Sequence, residues 1–229
     1  MHAHCSICRL QSRPILQSST SVKRIINRSS HKVSPPIPWR KRHRGHQSSS
    51  CAQQLGGNTI FPPYTIVSKQ SNYDLRFFDA YPVIRMPYER RDEGYIGLGA
   101  YFDGENSQGV RLRQTQPVTM RFSPGGSKTM ELYIGCQQDG QPVEALPQPK
   151  DSRLSLEVAG GEVAAVLKFE GSATREATLR AVAKLKTAIA SDGLKLAEEE
   201  AAGAFRLAQY GPLNSLSTRV NEVLLRVLV

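Results

Sequence analysis

The sequence predicts an α+β fold in which two similar ββαββ halves form a curved antiparallel, β-barrel-like sheet flanked by two helices. Residues 162–170 alternate with a period of two, as a half-buried strand does. Residues 174–190 place apolar side chains three and four positions apart, as a helix does. A hairpin predicted over 73–89 has a counterpart over 153–170, about 80 residues later, which indicates a weak internal duplication.

The first half is predicted to contain one helix and four strands, at 73–79, 81–89, 115–122 and 129–137. The last two strands are joined by the turn Pro124-Gly125-Gly126. The helix spans 91–102 and includes Gly94, Gly97 and Gly99, each of which destabilises a helix by up to about 1 kcal/mol relative to alanine. Packing of this helix must therefore compensate for its glycines.

The second half is predicted to contain four strands, at 153–158, 162–170, 203–210 and 218–227. The first two form a predicted hairpin across Gly160-Gly161. The helix over 174–190 has clear end signals, because Thr174 can cap its start and Gly193 follows its end. Two such halves can join their sheets and leave a cleft between them.

The positive charge of the chain is concentrated in its first residues. The 229 residues include 30 Lys and Arg and 20 Asp and Glu, which gives a formal net charge of +10. Residues 1–57 hold ten of the basic residues and no acidic one, and the first acid is Asp74. Residues 58–229 are therefore formally neutral, which argues against a face that binds nucleic acid.

Residues 1–57 have the composition of an organelle-targeting segment. They are rich in Ser and Arg, and their aliphatic residues are too scattered to bury a core. No apolar run is long enough for a secretory signal or a membrane span. Ser50-Cys51-Ala52 resembles a plastid processing site. We expect a transit peptide or disordered leader at 1–57, a folded domain at 58–229, and a plastid (chloroplast) location, with the mitochondrion as the alternative.

Histidine and cysteine are concentrated in the same leader. All five histidines and three of the four cysteines precede residue 58, so that only Cys136 remains in the predicted domain. An internal disulfide, a Ser-His-Asp triad, a His-ligated zinc and a His-ligated haem iron are therefore excluded for the processed domain. No glycine-rich phosphate-binding motif is present. We expect no catalytic residues, no metal site and no enzyme.

Five short blocks resemble the SOUL haem-binding family. In chain order they are Tyr73-Asp-Leu-Arg76, Tyr101-Phe-Asp-Gly-Glu-Asn106, Thr115-Gln-Pro-Val118, Leu146-Pro-Gln-Pro149, and Tyr210-Gly-Pro212 followed by Arg219-Val-Asn-Glu-Val223. One block alone would be a weak signal. Because five occur in register over most of residues 64–228, the chain is identified as a member of this family.

The resemblance implies that haem or another tetrapyrrole binds in an apolar groove between the first helix and the loop before the last strand. The implied walls are Tyr95, Ile96, Leu98, Tyr101 and Phe102 on the helix side, and Tyr210, Pro212, Leu213 and Leu216 on the loop side. The cations proposed for the propionates are Arg90, Arg91 and Arg219. Plainer roles are open for the same residues: the apolar ones fit a core, and Arg90 and Arg91 fit a solvated turn.

Two features depart from the family pattern. The first helix is rich in glycine and poor in cations, and the domain cannot ligate iron through histidine. We expect the macrocycle to be held by packing; the other conceivable iron ligands are Tyr95, Tyr101, Tyr210, Met86, Met120 and Cys136.

Three functions fit these observations. The first is a non-enzymatic carrier or buffer of haem or a related tetrapyrrole. The second is a structural or interaction protein on thylakoids or plastid lipid bodies, which uses the groove for a lipid or peptide. The third is a small tetrapyrrole enzyme, such as a chelatase or lyase, that acts through Tyr or Glu.

Overall fold

The protein is described by a computed structural model, which covers residues 60–135, 145–211 and 219–229. These residues form three helices, α1 (Arg91–Phe102), α2 (Arg175–Ser191) and α3 (Glu198–Ala201). Their strands are β1 (Tyr64–Lys69), β2 (Asp74–Phe78), β3 (Tyr81–Pro87), β4 (Val118–Phe122), β5 (Lys128–Tyr133), β6 (Ser155–Ala159), β7 (Glu162–Glu170), β8 (Lys195–Leu196), β9 (Phe205–Gln209) and β10 (Val220–Leu228). None of these helices is long and apolar enough to cross a membrane.

The strands form one curled antiparallel sheet in the order β1-β2-β7-β10-β9-β4-β5-β3-β6, and the short β8 pairs with the end of β10. The predicted α+β class, with a curved antiparallel sheet flanked by helices, is confirmed. Without the edge strand β1, the order of the sheet reads the same from the opposite end when β2, β3, β4 and β5 are exchanged for β6, β7, β9 and β10, respectively. The internal duplication itself stays a prediction.

The two predicted hairpins are wrong. β2 and β3 are adjacent in sequence, yet β2 pairs with β1 and β7, whereas β3 pairs with β5 and β6. In the same way β6 pairs with β3, and β7 pairs with β2 and β10. The reason is that alternation specifies which face of a strand is buried but does not specify its neighbour. Each half therefore supplies outer strands to the other half.

Both faces of the sheet carry buried side chains. On β7, Ala165 and Leu167 join the larger core beneath the helices, while Ala164 and Val166 join a smaller core on the opposite face. The curl of the sheet covers this second face, as in a barrel.

The second face also contains buried ion pairs. Arg76 donates to both carboxylate oxygens of Glu222, at 3.0 and 2.9 Å, and Tyr210 Oη donates to the same carboxylate at 2.6 Å. Arg206 is paired with Glu162 on this face as well. The interior of the curled sheet is therefore partly charged, whereas the core beneath the helices is apolar.

The connections from β2 to β3 and from β6 to β7 cross between strands that do not pair with each other. These two crossovers are in contact. The N–H of Gly161 donates to the carbonyl oxygen of Phe78 at 2.9 Å. Gly160 has a φ of +81°, and a Cβ added to it would overlap the carbonyl oxygen of Asp79. Only glycine fits both the left-handed conformation and this close backbone contact.

Candidate functional site

Helix α1 lies close to the sheet because two of its glycines face methionine side chains. A Cβ on Gly94 would lie 2.9 Å from the sulfur of Met130, and a Cβ on Gly97 would overlap the sulfur of Met86. Both glycines and both methionines are buried. This close packing accounts for the glycine-rich composition of α1, whose low helix propensity is offset by its contact with β3 and β5.

A buried asparagine organises the loop that follows α1. The Nδ2 of Asn106 donates to the carbonyl oxygens of Tyr101 and Val110, at 3.0 and 2.8 Å. Its Oδ1 accepts the N–H groups of Gln108 and Val110, each at 3.2 Å. These four hydrogen bonds hold the start of the segment that leads from α1 to β4.

A cavity of about 620 Å³, which we call the α1 groove, lies between α1, this segment and the ends of the sheet strands. Its volume is within the range of small-molecule sites. The lining residues are Tyr95, Leu98 and Gly99 from α1, Arg113, Gln114, Thr115 and Gln116 from the segment, Val118, Leu132 and Gln209 from the sheet, and Tyr210, Gly211 and Arg219 beyond β9.

The tyrosine on the helix wall is hydrogen-bonded to the floor of the groove. Tyr95 Oη donates to Oε1 of Gln209 at 2.9 Å, and Nε2 of Gln209 donates to Oδ1 of Asn221 at 3.2 Å. Burial raises the pKa of Tyr95, against opposing effects of Arg91 and Arg219. The hydroxyl is therefore protonated at neutral pH and acts as a donor.

The second tyrosine of the groove is tied to the interior of the sheet. Tyr210 Oη donates to Glu222, and the N–H of the next residue, Gly211, donates to Oε1 of Gln116 at 3.0 Å. Both tyrosine hydroxyls of the groove thus have protein acceptors. This arrangement suits a ligand held by packing better than one held through a phenolate bound to iron.

Four of the residues that the sequence proposed line the α1 groove: Tyr95, Leu98, Tyr210 and Arg219. Pro212, Leu213 and Leu216 lie outside the described residues, as does the conceivable iron ligand Cys136.

Three other proposed wall residues do not line it. Tyr101 and Phe102 are fully buried in the core, where Tyr101 Oη donates to the carbonyl oxygen of Pro147 at 2.8 Å. Ile96 is 70% exposed. For Ile96 the reason is the helical period, since 95, 98 and 99 share one face of α1 and 96 lies on another. The conceivable iron ligands Met86 and Met120 also lie in the core.

The two arginines proposed at the start of α1 have other surroundings. Arg90 is exposed and pairs with Asp92 at 2.6 Å, as a solvated turn would. Arg91 lines a separate cavity, described below. Among the described residues, the arginines that line the groove are Arg113 and Arg219, and of these only Arg219 was proposed from the sequence.

Sequence reasoning missed Arg113, Gly99 and Gln209 as groove residues. The position of Gly99 was available from its helical spacing to Tyr95, since residues four apart share a face. Gln209 could not be found in this way, because alternation along β9 does not show which of its side chains face α1 until the pairing of β9 is known.

Within the described ranges, no group of three or more His, Cys, Asp or Glu side chains could hold a metal ion. The chemical character of the groove comes from its apolar and aromatic walls and from the two arginines of its lining.

Comparison with known proteins supports one family. Residues 61–226 match the family model described as SOUL heme-binding protein. Heme-binding protein 2 of Mus musculus is 25% identical over 173 residues, which cover 70% of this chain and 80% of that protein. Heme-binding protein 2 of Homo sapiens is 26% identical over 136 residues, which cover 57% of this chain and 62% of that protein.

Among solved structures, a hydrolase encoded by lin2189 from Listeria innocua aligns with a TM-score of 0.49 at 11% identity, over 71% of this chain and 94% of that one. The similarity is too distant to bear on function. The family match spans β1 to β10 and includes the elements around the α1 groove, and on this basis the chain belongs to the SOUL haem-binding family.

Proposed function

We propose that this protein binds haem or a related tetrapyrrole in the α1 groove and acts as a carrier or buffer without catalysis. The observation that carries the proposal is the groove itself: about 620 Å³, with Tyr95, Leu98, Val118 and Leu132 on its walls and floor. A flat macrocycle needs apolar and aromatic contact over most of its area.

The polar side of the groove suits the propionates of such a ligand. Arg113 and Arg219 line it, and both are exposed at the surface. A guanidinium binds a carboxylate through two parallel hydrogen bonds, which a lysine cannot match in geometry. The macrocycle would lie against α1 with its propionates toward these two arginines.

Titration of the full chain with haem and with metal-free protoporphyrin IX tests the proposal. We expect saturable binding of one molecule per chain, with dissociation constants for the two ligands within about tenfold of each other, because packing and not iron ligation supplies the affinity. Unsaturable binding of both ligands would contradict the function. A strong preference for haem, with a six-coordinate spectrum, would contradict the packing argument.

A variant of one helix position tests the location of the site. A Cβ on Gly99 meets no atom within 4 Å, so Gly99→Leu fills the groove without a clash at that atom. We expect Gly99→Leu to weaken binding of both tetrapyrroles by at least about tenfold. The control is Ala183→Leu, which adds the same side chain to an exposed position of α2. If Gly99→Leu bound tetrapyrroles as tightly as Ala183→Leu, the ligand would lie outside the α1 groove.

We further propose that residues 1–57 direct the protein to the plastid. Their composition supports this, and import of the labelled full chain into isolated chloroplasts, with loss of the leader, tests it. Import into mitochondria alone would contradict it. If the protein were instead recovered with thylakoids or lipid bodies and free of pigment, the structural or interaction function would replace the carrier.

The carrier role also requires that the bound ligand leave unchanged. The proposal of a non-enzymatic function rests on the described lining of the groove, which includes no His, Cys, Asp, Glu or Lys and in which both tyrosine hydroxyls donate to protein acceptors. Product formed during the titration would contradict it.

A further inference from the structure

A second cavity lies on the same face of the sheet as the α1 groove, at the other end of strands β4 and β9. These strands pair from Val118 with Gln209 to Phe122 with Phe205. The first of these pairs lines the α1 groove and the second lines the other cavity, which has a volume of about 460 Å³. The two sites are separated along the strands by about 13 Å.

Helix placement leaves this part of the sheet open. Helix α1 packs on β3 and β5, and α2 packs on β7 and β10. Because β4 and β9 lie between those pairs in the sheet, they form the floor of a trough between the two helices. Met120 and Leu207, paired and fully buried, separate the two cavities in the middle of the trough.

The floor of the second cavity is hydrocarbon. The rings of Phe122 and Phe205 are stacked, with centroids 4.6 Å apart and planes at 14°. Leu207 continues the floor, and Leu179 of α2 lines the side while remaining 45% exposed. An apolar ligand part bound here would cover carbon surface that now faces solvent.

Three cations surround this floor, each from a different element: Arg91 at the start of α1, Lys128 at the start of β5 and Arg175 at the start of α2. The lining residues include no acid. Two carboxylates outside the lining lie near the cations: Glu89 is 3.3 Å from Lys128 with its side chain 90% exposed, and Glu176 follows Arg175, whose charge adds to hydrogen bonds in lowering the pKa of Glu176. The lining itself is therefore positive around an apolar floor.

We propose that this second cavity binds an apolar carboxylic acid of the fatty-acid type. The carboxylate is bound by Arg91, Arg175 and Lys128, and the hydrocarbon chain lies on Phe122, Phe205 and Leu179. Charge complementarity and the carbon floor together select this class: a small anion would leave the floor uncovered, and a neutral lipid would leave the cations unused. The proposal is independent of tetrapyrrole binding in the α1 groove.

Calorimetric titration of the full chain with dodecanoate below its micelle concentration tests the proposal. We expect saturable binding of one molecule per chain, and binding at least about tenfold weaker for dodecanol and for acetate, each of which lacks one half of the ligand. Equal binding of dodecanol would overturn the role of the cations, and equal binding of acetate would overturn the role of the floor. Failure of dodecanoate to bind would overturn the site.

Two variants at exposed helix positions locate the binding. Leu179→Glu introduces a negative charge at the edge of the cavity, and we expect it to weaken dodecanoate binding by at least about tenfold. Arg175→Gln should weaken it by about threefold to tenfold. The matched controls Ala183→Glu and Arg180→Gln change exposed residues of the same helix outside the cavity lining, and should leave affinity within about twofold.

The Gly99→Leu variant separates this proposal from the first. It should lose tetrapyrrole affinity and keep its affinity for dodecanoate. Loss of dodecanoate binding in Gly99→Leu would show that the acid occupies the α1 groove, and unchanged binding in Leu179→Glu would show that it does not occupy the second cavity. Either result would overturn the second site.

Discussion

At the scale of single residues, the most constrained charges are those of Arg76 and Glu222. Their exposed fractions are 3% and 1%, and the carboxylate also accepts the hydroxyl of Tyr210. Burial lowers the pKa of Arg76, but the charge and the hydrogen bonds of Glu222, together with Tyr64 and Tyr210, raise it by more, so the pKa of Arg76 lies above its ordinary value. Because Tyr210 lines the α1 groove, the pair also fixes one wall of the site.

Removal of one partner of this pair should cost more stability than removal of both charges. We expect Arg76→Met to lower the free energy of unfolding by about 3–5 kcal/mol, because Glu222 is left buried without its partner. The double variant Arg76→Met/Glu222→Gln should lose less, since the glutamine is neutral and still accepts from Tyr210. Urea unfolding measures both.

The control for this prediction is Arg153→Met, which breaks an exposed pair with Asp151 and should leave stability almost unchanged. A double variant as unstable as the single one would show that the loss comes from packing and not from the unpaired charge.

At the scale of elements, the glycines of α1 have different functions on different faces. Gly97 faces the sulfur of Met86, whereas Gly99 faces open space in the groove. We expect Gly97→Ala to destabilise the protein by about 1–3 kcal/mol, because the added methyl group overpacks the core. Gly99→Ala should stabilise it by up to about 1 kcal/mol through helix propensity.

Thermal unfolding of the two alanine variants checks this contrast. Stabilisation by both substitutions would show that α1 can move away from the sheet at little cost. Destabilisation by both would show that Gly99 is constrained by something other than space.

The two long helices were more predictable than the strands. The bounds of α1 agree with the prediction, and α2 differs from it by one residue at each end, because periodicity and end signals act within the helix itself. Strand β1 was missed, since its alternation is weak at the edge of the sheet, where both faces are partly exposed. The strand partners depend on the closure of the whole sheet, and local pattern does not contain that information.

The same distinction applies to the α1 groove. Tyr95 and Leu98 were found because a helix assigns side chains to faces at a fixed spacing. Arg113 was not found, because it belongs to an irregular segment whose course depends on the hydrogen bonds of Asn106. Tyr101 was proposed for the groove because it is an aromatic residue in the right helix, but it shares a face with Gly94 and Gly97, which pack on the sheet, and it lies in the core.

At the scale of the whole molecule, the crossovers of the two halves contact each other where the backbone of Gly160 lies against the carbonyl oxygen of Asp79. We expect Gly160→Ala to destabilise the protein strongly, by more than about 3 kcal/mol, because a left-handed conformation and a backbone clash act together. Gly161→Ala is the matched control: its φ is +67°, but its Cβ would meet no atom. It should cost only about 1–2 kcal/mol.

Chemical denaturation of the two variants measures this difference. Equal losses would show that the conformation of the glycines, and not the contact between the crossovers, determines stability at this position.

The exchange of outer strands between the halves has a consequence for synthesis. As the chain emerges from the ribosome, β3, β4 and β5 can pair among themselves, but the inner partner of β2 is β7, and Asp74 meets Val166 only after most of the domain has been made. Contacts of such long sequence separation form slowly. During that interval the N-terminal half exposes unpaired strand edges, which are the surfaces that chaperones protect and that aggregation exploits.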